Sequence, residues 1–266
     1  MSGRAKQPAP EYVPAHGLLD GKVVVVTAAA GAGIGAAVVR RVLEEGARAA
    51  VLGDTHERRL AEAAGALATE FGADRVAAVR CDVTVEDDVT ALLDAAEPFG
   101  GVEVMVNNAG LGGTASVLEM TDEQWARVLD ITLTGTFRCI RAASRRMVDA
   151  GRPGVVVNNA SVIGWRAQEG QAHYAAAKAG VMALTRSAAM DLAPHGIRVN
   201  AVSPSLAMHP FLAKVTSDEL LAELEQREAF GRAAEPWEVA NVMVFLASDY
   251  SSYMTGEVVP VSSQHA

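Results

Sequence analysis

Residues 23–35 read VVVVTAAAGAGIG, an apolar run that leads through a glycine-rich loop into a helical pattern. A continuous run of valines is typical of a strand that is covered on both faces of a parallel sheet. The spacing of Gly31, Gly33 and Gly35 lets the backbone turn tightly, approach a pyrophosphate and pack the helix onto the strand. Free amides at the start of that helix favour bound phosphate. The stretch predicts a dinucleotide-binding strand–loop–helix unit, and a tight turn without a ligand is the alternative.

Apolar runs and helical periods alternate along the rest of the chain. We predict strands at Val23–Thr27, Ala49–Leu52, Val76–Arg80, Val102–Asn107, Gly154–Asn158, Arg198–Val202 and Val258–Val261. Capping-box spacings at Thr84–Asp87 and Thr121–Gln124, and Pro236 at a first helical position, predict helix starts. We therefore predict an α/β fold, a single Rossmann-type doubly wound parallel sheet of about seven strands with helices on both faces.

Composition excludes several classes of protein. With 266 residues, 50% of them hydrophobic, and a net charge of −9, the chain has the profile of a soluble globular protein that binds no nucleic acid. No apolar stretch approaches the roughly 20 residues of a membrane helix. The two cysteines, Cys81 and Cys139, fit a reducing cytoplasm. We expect a flexible N-terminal arm over residues 1–17 and one domain over residues 18–266, with a substrate lid at about 207–232.

Acidic and amide side chains follow several of the predicted strands. Asp54 lies nineteen residues past Gly35, where a carboxylate accepts hydrogen bonds from an adenosine ribose and repels a 2′-phosphate. The loop at residues 28–35 contains no Arg or Lys, so we predict NAD rather than NADP. A solvated turn residue is the alternative for Asp54. Asp82 and the segment 107–110 end strands at the same edge, where open α/β sheets bind ligands.

The strongest local signal is the pair formed by Tyr174 and Lys178. On a helix these positions share a face, and a nearby ammonium stabilises a phenolate and lowers its pKa. Tyr174 would then be a usable general acid or base, and Ser161, thirteen residues earlier, could hold a substrate oxygen. An ordinary surface pair is the alternative. No Cys/His cluster has zinc spacing, so we predict no metal site.

These motifs together resemble the short-chain dehydrogenase/reductase family. The resemblance rests on TAAAGAGIG at residues 27–35, NNAG at 107–110, the Ser161–Tyr174–Lys178 spacing, RVNAVSP at 198–204 and YMTG at 253–256, and it spans about residues 19–262. It implies that Tyr174 exchanges a proton, Ser161 positions the reacting oxygen and Lys178 binds the nicotinamide ribose. It also implies a homotetramer. The implied cofactor contacts are Thr27, Ala29, Gly31, Gly33, Ile34, Gly35, Asp54, Asp82, Val83, Asn108, Ala109, Gly110, Tyr174, Lys178, Pro204 and Ser205.

The chain departs from the family pattern at several positions. Ala28 stands where the first glycine is usual, and Thr132 stands where an asparagine commonly helps to hold a proton-relay water. Thr132 is therefore a catalytic candidate that offers a hydroxyl but no amide. Ser205 replaces a glycine, His209 replaces a threonine, and the segment 261–263 replaces Asp-Gly-Gly.

Three stretches resemble a narrower branch, the actinobacterial dehydrogenases of steroid C/D-ring catabolism. They lie at residues 18–31, 158–168 and 229–238. The resemblance implies a secondary alcohol on a cyclic CoA-linked substrate. The predicted substrate contacts are Ser161, Trp165, Arg166 and His209.

Several alternatives stay open from the sequence. Arg166 and Lys214 could meet CoA phosphates or be solvated charges, and Trp237 could wall a ring pocket or anchor a helix start. His173 could carry a proton or simply pack. The competing functions are a 3-oxoacyl-ACP/CoA reductase that uses NADPH, and a non-catalytic dinucleotide sensor.

Overall fold

The computed structural model describes residues 6–208 and 218–263. Its sheet consists of seven parallel strands in the order β3-β2-β1-β4-β5-β6-β7. The strands are β1 (Val23–Thr27), β2 (Ala49–Asp54), β3 (Val76–Arg80), β4 (Val104–Asn107), β5 (Gly154–Asn159), β6 (Ile197–Pro204) and β7 (Val258–Val261). The predicted doubly wound sheet is confirmed, with strand boundaries that differ by up to two residues.

Helices follow the strands and cover both faces of the sheet. They are α1 (Ile34–Glu44), α2 (Glu57–Phe71), α3 (Glu86–Asp94), α4 (Asp122–Leu129), α5 (Gly135–Asp149), α6 (Ala172–Leu192), α7 (Asp218–Arg227) and α8 (Pro236–Ala247). A π-helical turn, Asp130–Thr134, joins α4 to α5.

The valines of β1 divide the core into two layers. Val24 and Val26 face a cluster that includes residues of α1 and α8, whereas Val23 and Val25 face one built with α3 and α5. All four side chains are 0% exposed. Burial on both faces explains why this strand is a continuous apolar run rather than an alternating one.

The helix starts were predicted with mixed success. Thr121 and Gln124 form the expected capping box at α4, and Pro236 is the first residue of α8. The capping box at Thr84 is wrong, because α3 begins after Val85 and the Thr84 hydroxyl bonds Asp82 instead.

The parallel topology brings the carboxyl ends of β1, β4, β5 and β6 to one edge of the sheet. The chain leaves this edge after β6, and residues 209–217 of the predicted lid lie outside the described part. Residues 6–17 contain neither helix nor strand and lie against α1 and α8. Within the described ranges, none of the helices has the length and apolar character required to cross a membrane.

Candidate active site

Ser161 and Tyr174 meet at the carboxyl end of β5. Ser161 follows that strand, is 8% exposed and accepts a bond from the Ile163 amide at 3.3 Å. Tyr174 lies in the first turn of α6. Burial raises the pKa of the Tyr174 phenol to about 12, although a hydrogen bond with the Ser161 hydroxyl acts in the opposite direction. The lowered pKa that we expected for Tyr174 is therefore wrong, because loss of solvent outweighs the hydrogen bond with Ser161.

Lys178 lies one turn along α6 from the phenol, with Nζ 5.5 Å from the centre of the Tyr174 ring. The residue is 3% exposed, and Nζ donates to the Asn159 carbonyl at 2.5 Å. Burial lowers the pKa of this ammonium to about 8. The alternative of an ordinary surface pair is wrong, since Lys178 is buried.

Thr132 faces the loop that follows β4. Its hydroxyl accepts a bond from the Leu111 amide at 3.0 Å and lies 3.3 Å from the Leu111 carbonyl as donor. Thr132 is 0% exposed and sits in the π-helical turn, a feature that often marks functional sites. Through these two bonds to Leu111, the Thr132 side chain holds the loop that follows β4.

The glycine-rich loop is shaped for close approach of a ligand to the backbone. Ala28, at the usual glycine position, adopts a left-handed φ of +50°. A Cβ on Gly35 would lie 2.2 Å from the Ala28 carbonyl oxygen, so only glycine fits there. The N-cap of α1 is Gly33, which supplies no side-chain cap. Amides at this helix start are therefore available to an anion, as a pyrophosphate requires.

Asp54 binds the glycine-rich loop to the end of β2. Its carboxylate accepts the Ala30 amide at 3.1 Å and the His56 amide at 2.9 Å. The side chain is buried, at 9% exposed, so the alternative of a solvated turn residue is wrong.

The remaining predicted cofactor residues line the same edge. The Thr27 hydroxyl accepts the amides of Asn108 and Ala109, both at 3.0 Å. A Cβ on Gly110 would lie 3.3 Å from Lys178 Nζ, which places this glycine beside the catalytic helix. The other positions are found as follows: Ala29 is buried and bonds Gly53, Gly31 has a φ of +97°, Ile34 begins α1, Pro204 ends β6 and Ser205 bonds Val261.

Asp82 and Val83 lie at the end of β3, farther from the phenol. The Asp82 carboxylate accepts both the amide and the hydroxyl of Thr84, and these bonds lower its pKa. Val83 is buried against Gly135, where a Cβ would come within 2.6 Å of its methyl group.

The predicted substrate residues are only partly brought together. Trp165 is 51% exposed and Arg166 is also exposed, both on the loop between Ser161 and α6. His209 and Lys214 lie outside the described residues. Trp237 stands at the start of α8, where its ring meets Tyr12. It serves as an anchor there rather than as a wall beside Tyr174.

His173 is buried beside the loop that follows β4. It is 2% exposed, and a Cβ on Gly113 would lie 3.1 Å from its Nε2. The imidazole therefore packs against the loop that follows β4.

Sequence reasoning missed two backbone groups of the site. They are the Asn159 carbonyl, which accepts from Lys178, and the Leu111 peptide, which binds Thr132. The Asn159 side chain also donates to Asn108 at 2.9 Å. The paired asparagines at residues 158–159 were the available signal, since their side chains bond Asn107 and Asn108 at the end of β4.

Known proteins resemble this chain over nearly its whole length. The family model described as enoyl-(acyl carrier protein) reductase matches residues 28–263. The chain belongs to the short-chain dehydrogenase/reductase family. It is 61% identical over 258 residues to (5R,7aS)-5-hydroxy-7a-methyl-1-oxo-2,3,5,6,7,7a-hexahydro-1H-indene-carboxyl-CoA reductase from Mycobacterium tuberculosis, a match that covers 97% of this chain and 98% of that protein.

Other proteins that resemble this chain are also named as dehydrogenases. It is 45% identical over 244 residues to cis-4-hydroxycyclohexanecarboxylate dehydrogenase from Sinomonas cyclohexanicum, covering 90% of this chain and 94% of that protein. A crystal structure of a short-chain dehydrogenase from Mycobacterium smegmatis, 56% identical, superposes with a TM-score of 0.86 over 97% of this chain and 99% of that one. The chain is an oxidoreductase that acts on a hydroxyl or keto group and uses a nicotinamide cofactor.

Proposed function

We propose that this short-chain dehydrogenase uses NAD to interconvert a secondary alcohol and a ketone on a cyclic, CoA-linked intermediate of steroid ring catabolism. The observation that carries this proposal is the Ser161–Tyr174–Lys178 set, with Ser161 and Lys178 buried and Tyr174 partly buried between them, in a chain so similar to a CoA-linked indene reductase. A second relative is named for a hydroxylated six-membered ring carboxylate. Both relatives therefore support a cyclic rather than a linear alcohol.

The three side chains divide the proton chemistry. A bound nicotinamide accepts or donates the hydride. Ser161 holds the substrate oxygen, and Tyr174 takes its proton when the alcohol is oxidised and returns it when the ketone is reduced. Lys178 keeps a positive charge near the phenol below about pH 8, which opposes the rise in pKa that burial imposes on Tyr174.

The glycine-rich edge fits the dinucleotide. The uncapped start of α1 would receive the pyrophosphate, Gly35 lets this helix pack closely against Ala28, and Asp54 would accept a ribose hydroxyl. Asp54 supports NAD because its carboxylate would face a 2′-phosphate. Arg80, its neighbour on β3, is engaged by the carboxylates of Asp88 and Glu57.

Cofactor choice is tested by changing the charge at Asp54. Asp54→Asn keeps an acceptor for the loop amides, whereas Asp54→Ala with His56→Arg removes it and adds a cation. We expect the ratio of kcat/KM for NAD to that for NADP to fall in both, and furthest in the double variant. An unchanged ratio in the double variant would show that Asp54 is not the selector.

Trp165 and Arg166 are the proposed substrate contacts in the described part of the cleft, and His209 remains a proposal beyond it. The half-exposed indole offers an apolar face to a ring system, and the neighbouring guanidinium suits a phosphate of CoA. Arg166→Ala should therefore raise KM for a CoA thioester more than KM for the free acid.

We also propose a cytoplasmic homotetramer. Large apolar side chains stay exposed on α4 and α5, namely Trp125 at 41% and Phe137 at 42%. Exposed aromatic residues on neighbouring helices favour association. Sedimentation analysis of the wild type and of Phe137→Glu tests this assembly.

The function itself is tested by turnover with purified protein. NAD and NADP are each offered with a hydroxylated hydrindane-carboxyl-CoA, a linear 3-hydroxyacyl-CoA and a simple steroid alcohol. We expect reduced NAD to form with the hydrindane thioester, and Tyr174→Phe to abolish it while dinucleotide binding persists. Turnover confined to the linear thioester with NADP would replace the proposal by the 3-oxoacyl reductase alternative. Unimpaired function of Tyr174→Phe would favour the sensor.

A further inference from the structure

Two chains of hydrogen-bonded side-chain amides pass through the end of β5, one through Asn158 and the other through Asn159. Successive side chains of a strand point to opposite faces of the sheet, so the two chains lead to different places. The first amide chain runs from Asn107 to Asn158 at 2.8 Å and from Asn158 to the Thr185 hydroxyl at 2.9 Å. All three side chains are buried. The first amide chain therefore joins β4 and β5 to the middle of α6.

The second amide chain leads from Asn159 to the glycine-rich loop. The Asn159 side chain donates to the Asn108 side-chain oxygen at 2.9 Å, and the Asn108 side chain donates to the Ala28 carbonyl at 3.1 Å. A Cβ on Gly35 would lie 2.6 Å from Asn108 Nδ2, so this chain ends against the first turn of α1. Ala28 adopts a left-handed φ of +50°, which is unfavourable for a residue other than glycine. The bond from Asn108 therefore stabilises the loop at its strained residue.

The backbone of Asn159 binds Lys178. Its carbonyl accepts a bond from Lys178 Nζ at 2.5 Å, and in the described part of the chain it is the one hydrogen-bond acceptor of that ammonium. This carbonyl shares a planar peptide unit with the Ala160 amide, which donates to the Val202 carbonyl of β6 at 2.8 Å. The bond to β6 and the second amide chain together determine where the carbonyl points.

The Asn159 side-chain oxygen is buried and has no partner among the residues that the structure describes. An unpaired buried oxygen destabilises a folded protein, and its presence in a native structure requires an explanation. An apolar side chain would avoid this penalty, but it could not donate to Asn108. The asparagine at this position therefore points to a use for its NH2 group, which makes the bond to Asn108.

We propose that Asn159 is a positioning residue that couples dinucleotide binding at the glycine-rich loop to the placement of the Lys178 ammonium. An ordered loop at Ala28 keeps the Asn108 and Asn159 side chains in place. The Asn159 carbonyl then holds the ammonium where it can act on the Tyr174 phenol. The coupling rests on the proposed function, because it takes the loop to be the dinucleotide site and Lys178 to be catalytic.

The coupling is measured in the full chain with ADP as the probe. ADP can occupy the glycine-rich loop, but it has no nicotinamide or second ribose to lie beside Lys178. Because coupling between two sites is reciprocal, a change at Lys178 should alter the affinity for ADP only when the second amide chain is intact. Isothermal titration calorimetry gives the Kd of ADP for the wild type, Lys178→Met, Asn159→Leu and the double variant.

Asn159→Leu removes the side-chain donor and keeps the backbone carbonyl and a similar volume. Asn159→Asp has nearly the same shape and also lacks the NH2 group, so it takes the place of Asn159→Leu if the leucine variant does not fold. Thr185→Val is the matched control, because it removes the acceptor hydroxyl of the first amide chain and leaves the second intact. Thermal unfolding, kcat and KM are measured for all variants.

We expect Lys178→Met and Asn159→Leu each to raise the Kd of ADP about threefold. The double variant should bind ADP no more weakly than the weaker single variant, since both changes interrupt the same chain. At saturating NAD, Asn159→Leu should lower kcat with the hydrindane-carboxyl-CoA about tenfold and leave its KM unchanged, because the ammonium is misplaced while the substrate contacts remain. Thr185→Val should lower the melting temperature as Asn159→Leu does, with wild-type kcat and Kd of ADP.

The coupling would be overturned by additive effects on the Kd of ADP in the double variant, or by a Kd that Lys178→Met leaves unchanged. Equal losses of kcat in Thr185→Val and Asn159→Leu would also overturn it, because Asn159 would then be merely structural. Binding of ADP does not require turnover. If the effects on ADP binding are non-additive but no alcohol is oxidised, the coupling stands and the proposed function fails.

Discussion

The end of α1 and the first turns of α6 each bury a cation, but in opposite ways. Arg41 is bound by the Glu45 carboxylate and by two carbonyls of the arm. Lys178 has the Asn159 carbonyl, and among residues 6–208 and 218–263 no carboxylate lies within ion-pair distance of its ammonium. A buried charge that has a counter-ion recovers much of the free energy lost on desolvation, whereas one without a counter-ion destabilises the folded state. The difference separates a structural cation from one that we propose to be catalytic.

The largest effect should come from changes at Tyr174 and Lys178 on α6. Tyr174→Phe and Lys178→Met should each lower kcat/KM by about 10²- to 10⁴-fold, because proton exchange at the substrate oxygen is lost. Steady-state kinetics measure the loss, and fluorescence titration with the dinucleotide serves as the control for Tyr174→Phe. Retention of activity in either variant would contradict the catalytic assignment.

Removal of the Arg41–Glu45 ion pair should affect folding instead. Glu45→Ala leaves the Arg41 guanidinium buried without its counter-ion and should lower the free energy of unfolding by about 3–5 kcal/mol. Urea unfolding measures the change. Arg41→Met/Glu45→Leu should recover part of the loss, since neither charge is then buried. A double variant less stable than Glu45→Ala would argue against a charge-burial penalty.

The pH dependence of stability should also differ between the two regions. Burial lowers the pKa of Lys178 in the folded protein from 10.5 to about 8, so between these pH values the unfolded chain binds more protons than the folded one. The free energy of unfolding of the wild type should therefore increase as pH rises from 8 to 10.5. Lys178→Met lacks this gain and should be more stable than the wild type near pH 7 by about 3 kcal/mol. The advantage should shrink from pH 8 to pH 10.5 in urea titrations. A constant difference between the two proteins would mean that Lys178 is not destabilised by burial.

The smallest expected effect is at Thr132, a neutral side chain whose hydroxyl bonds both the amide and the carbonyl of Leu111. Thr132→Val keeps the shape but leaves the Leu111 amide and carbonyl without their hydroxyl, so unfolding free energy should fall by about 1–3 kcal/mol. Thr132→Ser should restore most of the stability and the activity. If Thr132→Val were fully active while Thr132→Ser were not, the hydroxyl would have no role in holding the loop.

Short-range patterns predicted most of the fold, and they selected candidate reacting groups that the structure brings together. The valine run at 23–26 predicted a strand buried on both faces, because a strand with one face in solvent would alternate apolar and polar residues. Tyr174 and Lys178 share a helix face through spacing alone. The Thr84 capping box failed because Asp82, two residues earlier, competes for the same hydroxyl.

The sequence by itself determined the sheet, the glycine-rich loop and the identity of the Ser161, Tyr174 and Lys178 set, because each depends on periodicity or on spacing within one element. Only the tertiary structure decided the pKa of Tyr174, the bonding of Thr132 to Leu111, and the course of the arm to Phe230. These features depend on solvent exclusion and on partners distant in sequence, and neither follows from local pattern. Burial of the Lys178 ammonium destabilises the folded state. The same position on α6 holds that ammonium beside the Tyr174 phenol, which it is proposed to activate.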